Sequence, residues 1–177
     1  AQQFFDDALA TVKHHMTDRV SSVHMEIGKS YEQVNPEAGY QHMNQALEMK
    51  KSSMSKEDVW MFNEMGRNLR SRGLWEQAIE QYEKARKIAP DDPQILYNMS
   101  MAYAQGKRFD QASTCMDLAL ESNHDMFASH AVACFNIGMV YRHARKSSKA
   151  IRYLKNCLEH DPNHQEARKA LQQLEKK

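Results

Sequence analysis

The 177-residue sequence is short of the residues that make sheets and tight loops. Glycine and proline together number ten, and valine, isoleucine and threonine only sixteen. With turn formers and β-branched strand formers both scarce, an all-α fold is expected. No apolar run approaches the roughly 20 residues needed to cross a bilayer, so no membrane span is expected. Charge of one sign is also missing. Twenty-four Lys and Arg oppose 23 Asp and Glu, a formal net charge of +1, which leaves no basic excess for binding nucleic acid. The three cysteines, Cys115, Cys134 and Cys157, are odd in number and far apart. They suit reduced thiols better than a disulfide framework. No basic-then-apolar signal segment opens the chain, and a cytoplasmic setting is expected. A Gly-rich phosphate loop, a nucleophile elbow and a zinc-protease helix are all absent. No catalytic residue, metal or cofactor is therefore assigned, and the chain is not read as an enzyme.

What the sequence does contain is repetition. Phe62-x-x-Met65-Gly66-x-x-Leu69 returns 34 residues later as Leu96-x-x-Met99-Ser100-x-x-Tyr103, and 38 residues after that as Cys134-x-x-Ile137-Gly138-x-x-Tyr141. Each copy is followed at one interval by a second pattern: Ala78-x-x-x-Tyr82-x-x-Ala85, Ala112-x-x-x-Met116-x-x-Ala119 and Ala150-x-x-x-Leu154-x-x-Cys157. Apolar residues three and four apart share one helix face. Small residues at Gly66, Ser100 and Gly138, opposite Ala78, Ala112 and Ala150, allow two antiparallel helices to approach closely. Pro90 and Pro162 close two of the copies, since proline cannot continue the helical ladder. A fainter copy comes first: His24-x-x-Ile27-Gly28-x-x-Tyr31, then Gly39-x-x-x-Met43-x-x-Ala46.

These motifs resemble the tetratricopeptide repeat (TPR) family in period, in the small residue of the first helix, in the Ala-x-x-x-aromatic segment of the second and in the closing proline. The resemblance implies a right-handed α-solenoid of antiparallel helix pairs, with about four repeats in one domain. The repeats fall at 21–53, 59–92, 93–126 and 131–164, with extra residues near Met54–Asp58 and Phe127–His130. Residues 165–177, with Ala167, Ala170, Leu171 and Leu174 at helical spacing, suit a capping helix. Residues 1–20 extend the first repeat backwards: Phe5, Leu9, Val12, Met16, Val20, Val23 and Ile27 recur at spacings of three and four. One long helix from about Gln3 to Tyr31 is expected, either folded back as a cap or pairing with another chain.

Candidate metal ligands reduce to structural roles. His160 and His164 are separated by Asp161-Pro162 at a helix end, His14 and His15 point to different sides of a helix, and His24 occupies a packing position, where a buried structural histidine is expected. Cys134 and Cys157 align with core positions, whereas Cys115 lies beside one and is expected to be partly exposed.

Function is expected on the groove that the resemblance implies, lined by the first helix of each repeat. The register places Lys29, Asn63, Arg67, Arg70, Tyr97, Asn98, Met101, Asn136 and Arg142 there as partner-binding residues. Asn both donates and accepts, which suits an extended peptide backbone, and Arg grips carboxylates with two parallel hydrogen bonds. A protein or peptide partner is expected, with an acidic or C-terminal segment as the sharper form. The clamp that captures acidic chaperone tails in this family does not fit: of Asn63, Arg67, Asn98, Val132 and Asn136 at the aligned positions, only Asn98 agrees. The alternative reading is an assembly scaffold within a larger multidomain signalling or secretion-associated protein, forming a homodimer through the N-terminal helix.

Overall fold

The computed structural model describes residues 2–31, 34–50 and 54–176, with side chains described from residue 11 onward and not at residue 57. Phe5 and Leu9 of the N-terminal pattern therefore lie outside the described side chains. Among the described residues ten α-helices and one 3₁₀ turn account for most of the chain, and no strand occurs. No described helix is long and apolar enough to cross a membrane. The helices gather into two compact units, Ala1–Ala89 and Pro90–Lys177.

The first unit comprises α1 (Gln2–Tyr31), α2 (Pro36–Lys50), a 3₁₀ turn (Lys56–Asp58), α3 (Val59–Ser71) and α4 (Trp75–Ile88). Helix α1 runs unbroken for 30 residues. Its C-terminal half packs on α2 through Gly28: a Cβ there would lie 2.6 Å from Met43 Cγ and 2.8 Å from the Gly39 carbonyl oxygen. Helices α3 and α4 meet through Gly66, whose hydrogen faces the Tyr82 ring. Met25, Met43, Met61, Met65, Leu69 and Tyr82 fill this core and are almost completely buried. Each such side chain contributes about 1.5–3 kcal/mol relative to exposure.

The second unit comprises α5 (Pro93–Gln105), α6 (Phe109–Ser122), a single turn α7 (Asp125–Ala128), α8 (Ala131–His143), α9 (Ser147–His160) and α10 (Gln165–Glu175). Asp92 caps α5 by accepting from the Ile95 N–H at 3.0 Å, with Pro93 starting the helix where its missing donor is harmless. At the small position of α5, Ser100 donates its hydroxyl to the Ala112 carbonyl of α6 at 2.7 Å. Serine thus gives the close approach and satisfies its own polar group. Gly138 plays the steric part in α8, against Leu154 of α9. The extra residues between α6 and α8 form α7, which buries Phe127 and stacks it on Tyr97, centroids 4.8 Å apart. Helix α10 buries Ala167 and Ala170 against this core, and His164 caps it, Nδ1 accepting from the Ala167 N–H at 3.3 Å.

Three hairpins close in one way. The N–H groups of Leu74, Arg108 and Lys146 donate to the carbonyls of Leu69, Tyr103 and Tyr141, five residues back, at 2.9 Å in each case. The residue before each donor is left-handed: Gly73 at φ 77°, Lys107 at 58° and Arg145 at 59°. This closure absorbs carbonyls that a helix end leaves unpaired, and its left-handed site favours glycine. Lys107→Gly should therefore stabilise the second unit by about 0.5–1 kcal/mol, raising its thermal midpoint. An unchanged or lower midpoint would show that Lys107 makes compensating contacts.

Two expectations need correction. Cys115 is buried at 6% exposure, rather than partly exposed, as one of three buried thiols. His24 is half-buried rather than buried; its ring stacks on His42 of α2, Nδ1 to Nδ1 at 3.0 Å.

Candidate functional site

The candidate residues divide between the units. Lys29 on α1 and Asn63, Arg67 and Arg70 on α3 lie in the first; Tyr97, Asn98 and Met101 on α5 and Asn136 and Arg142 on α8 lie in the second.

In the first unit two of the three candidate cations already have acids. Lys29 Nζ lies 3.0 Å from Glu26 Oε1 and 4.6 Å from the centroid of the Trp60 ring. Arg67 Nη1 donates to Glu64 Oε1 at 3.1 Å. Arg70 is half-buried, and its charge bears on the Tyr82 hydroxyl. Burial nevertheless pushes that phenol up to about 12, outweighing the pull of Arg70 and Arg67. Asn63 is half-buried. Residues spaced three apart on one helix produce these pairs, and the surface they leave carries little net positive charge.

In the second unit the polar candidates are tied to one another. Asn136 donates through Nδ2 to the Tyr97 hydroxyl at 3.0 Å, joining α8 to α5. Tyr97 and Met101 are half-buried beside the core, whereas Asn98 is almost wholly covered at 4% exposure. Arg142 donates to Gln173 Oε1 at 2.6 Å and reaches Met139 Sδ at 3.8 Å, bridging α8 to α10.

Arg142 also lines a cleft of about 860 Å³ with Arg145, Ser147, Gln173, Leu174 and Lys176. No acidic side chain is among its described lining residues. Ser147 opens α9, whose N-terminus has no side-chain cap, so the positive end of that helix adds to the cations. The carbonyls ending α8 accept from the Ala144, Arg145 and Lys146 N–H groups of the turn, which leaves the cleft's charged side chains unencumbered by them. Such a cleft is suited to a carboxylate. Arg145 and Lys176 were not reached from the sequence. The only signal for Arg145 was its place in the inter-helix turn, equivalent to Gly73 and Lys107.

A second cluster is structural. The Asp117 carboxylate accepts from the Tyr141 hydroxyl and from Lys149 at 2.6 Å each, and from Lys146 at 3.0 Å. Burial would raise its pKa, but the hydrogen bonds from Lys149, Tyr141 and Lys146 hold it below the usual carboxylate value. Tyr141 moves the other way, burial and the Asp117 charge making its phenol harder to ionise. His160 spends its Nε2 on the Ala128 carbonyl, 2.8 Å away. Among the described residues no group of three or more His, Cys, Asp or Glu is placed to hold a metal ion.

Paired helices with a small residue at the crossing of each pair and a left-handed closure shared by three of them define the class of helical-repeat interaction modules. The chain belongs to the tetratricopeptide repeat family: TPR repeat families match residues 66–107, 93–125 and 131–164. No curated protein sequence matches it significantly. Among solved structures it is similar to MamA, residues 41 to the end, from Desulfovibrio magneticus RS-1 (TM-score 0.72, 16% identity, covering 87% of this chain and 82% of that one). It is also similar to PilF of Pseudomonas aeruginosa (0.70, 19%, 89% and 68%). A third likeness is to the first TPR of Spaghetti (RPAP3) bound to the HSP90 peptide SRMEEVD (0.58, 24%, 70% and 97%). At these identities the likeness is one of fold, that of the all-α TPR solenoids.

Proposed function

We propose that this TPR protein is a non-enzymatic adaptor that holds an acidic or C-terminal segment of a partner protein, with Arg142 as the principal grip. The observation that carries the reading is the contrast in charge: Lys29 and Arg67 are neutralised by Glu26 and Glu64, whereas Arg142, Arg145 and Lys176 share a cleft whose described lining has no acid. In this reading Arg142 exchanges Gln173 for a carboxylate, and Tyr97, Met101 and Asn136 hold the rest of the segment; Asn98, almost wholly covered, does not reach it. The RPAP3 domain, bound to a peptide with two glutamates and a terminal aspartate, is a precedent for such a ligand on this fold. Three free, buried cysteines suit a reducing cytoplasmic setting.

The test is fluorescence anisotropy with a Glu-rich hexapeptide carrying a free C-terminus. Arg142→Glu/Arg145→Glu should weaken binding at least tenfold, equivalent to about 1.4 kcal/mol, while Arg67→Glu/Arg70→Glu should cost less than threefold. Equal affinity in wild type and the Arg142/Arg145 variant overturns the reading. Amidating the peptide's C-terminus separates recognition of the terminal carboxylate from recognition of the acidic side chains.

A further inference from the structure

Helix α1 buries one face and leaves another bare. Ser21, Met25 and Gly28 are buried, with Gly28 seated on α2. Val12 (54% exposed), Met16 (62%), Val20 (44%), Val23 (58%) and Tyr31 (41%) stand in solvent, with Ile27 half-buried among them. At 100° per residue these six fall within an arc of about 100°, one continuous stripe opposite the packed face. The stripe is about 28 Å long at 1.5 Å per residue. An apolar surface this long and unbroken marks an interaction site.

The spacing says what the occupant is. From Val12 to Tyr31 the stripe advances by four, four, three, four and four residues, which reads the same in either direction. A two-fold axis between residues 21 and 22 sets Val20 against the partner's Val23, Met16 against the partner's Ile27 and Val12 against the partner's Tyr31. Every stripe residue meets another. That is the reciprocity an isologous interface requires, where a contact from i to j is repeated from j to i.

The flanking charges agree. Arg19 and Glu26 lie along one edge of the stripe; Arg19 is exposed, and the Glu26 side chain is 66% exposed although paired with Lys29. In an antiparallel pair like edges meet, so Arg19 faces the partner's Glu26 and Glu26 faces the partner's Arg19, giving two matched pairs. In a parallel pair this edge would meet the opposite one, which carries Lys13, Thr17 and His24 and offers Arg19 no acid. We infer that α1 is a self-association helix: two copies of this chain pair antiparallel through the Val12–Tyr31 stripe, centred between residues 21 and 22. This interface is independent of the peptide cleft in the second unit.

Sedimentation velocity of the whole chain from low to high micromolar concentration tests it. The wild type should be a dimer, and Val20→Glu/Val23→Glu a monomer with unchanged helical circular dichroism. Arg19→Glu alone should weaken the dimer several-fold, and adding Glu26→Arg should restore it, because the swap rebuilds both pairs only in the antiparallel register. Val20→Cys/Val23→Cys provides a second readout that tolerates less disturbance of the helix. Oxidation should give a covalent dimer on a non-reducing gel, the native thiols being silent because all three are buried. A wild-type monomer throughout overturns the proposal and leaves the stripe to a helix of another protein. A dimer that survives Val20→Glu/Val23→Glu, or a charge swap that fails to restore pairing, overturns it equally.

Discussion

Replacing Lys50 with methionine should destabilise the first unit by about 3 kcal/mol, because it leaves a buried carboxylate without its cation. Lys50 is 7% exposed at the end of α2, and its Nζ lies 2.5 Å from Asp58 Oδ1 and 2.9 Å from Asp18 Oδ1. This one ammonium joins α1, α2 and the 3₁₀ turn. Burial alone would raise the Asp58 pKa, but hydrogen bonds from Lys50 and from the N–H and hydroxyl of Ser55, with the Lys50 charge, hold it below its ordinary 3.8. Burial alone would lower that of Lys50, but its hydrogen bonds to Asp18 and Asp58 carry it above 10.5. The pH dependence follows in sign. The contribution of Asp58 is present above pH 3.8 and is lost as the pH falls through its depressed folded value; that of Lys50 is present below pH 10.5 and is lost as the pH rises past its raised one. Urea titration read by tryptophan fluorescence reports this unit alone, since the chain's two tryptophans, Trp60 and Trp75, both lie in it. Lys50→Met should also flatten the acid limb, and Lys50→Met/Asp58→Asn should recover part of the loss. A variant as stable as wild type, with the same acid limb, would show that the pair adds nothing to the unit.

Gly66→Ala is expected to destabilise the same unit by about 2 kcal/mol, against the direction that helix propensity alone predicts. In an open helix, alanine for glycine gains about 1 kcal/mol. Here the new Cβ would come 2.6 Å from Tyr82 Cζ, and closer still to Cε1. Tyr82 is wholly buried, so its rigid ring has nowhere to move, and overpacking of this kind costs about 3 kcal/mol. Gly138→Ala should be milder, near 1 kcal/mol. Its nearest neighbour is Leu154 Cγ at 2.9 Å, on a branched side chain that can turn aside. A midpoint shift of opposite sign for Gly66→Ala would mean that the α3–α4 crossing is looser than this contact requires.

The hairpins were legible because their determinants are local. The three-and-four periodicity, the small residue at each crossing and the turn after each first helix all lie within one repeat, and each has a single steric meaning. Ser100 illustrates how far that extends. Its smallness was readable, but the hydroxyl bond to Ala112 that makes serine better than a bare gap was not. The candidate site was less legible. Family register put Lys29, Arg67 and Arg142 in one class, yet the first two have acids three residues away on their own helices, and the third reaches across to Gln173 of α10. Sequence spacing can expose an i,i+3 pair; it does not say which of two competing partners a long side chain takes.

The amino-acid sequence by itself determined the all-α class, the TPR hairpins and the 30-residue course of α1, because each follows from periodicity and sterics over a few helical turns. Tertiary structure alone decided that Lys50 would bind Asp18 and Asp58 at once, that Asp117 would gather Tyr141, Lys146 and Lys149, and that Arg142, Arg145 and Lys176 would share one cleft. Each of those groupings includes a link 24 to 34 positions long in sequence, from Asp117–Tyr141 to Arg142–Lys176, at distances set by how helices stack, and charge–charge attraction carries no period that a one-dimensional pattern could display.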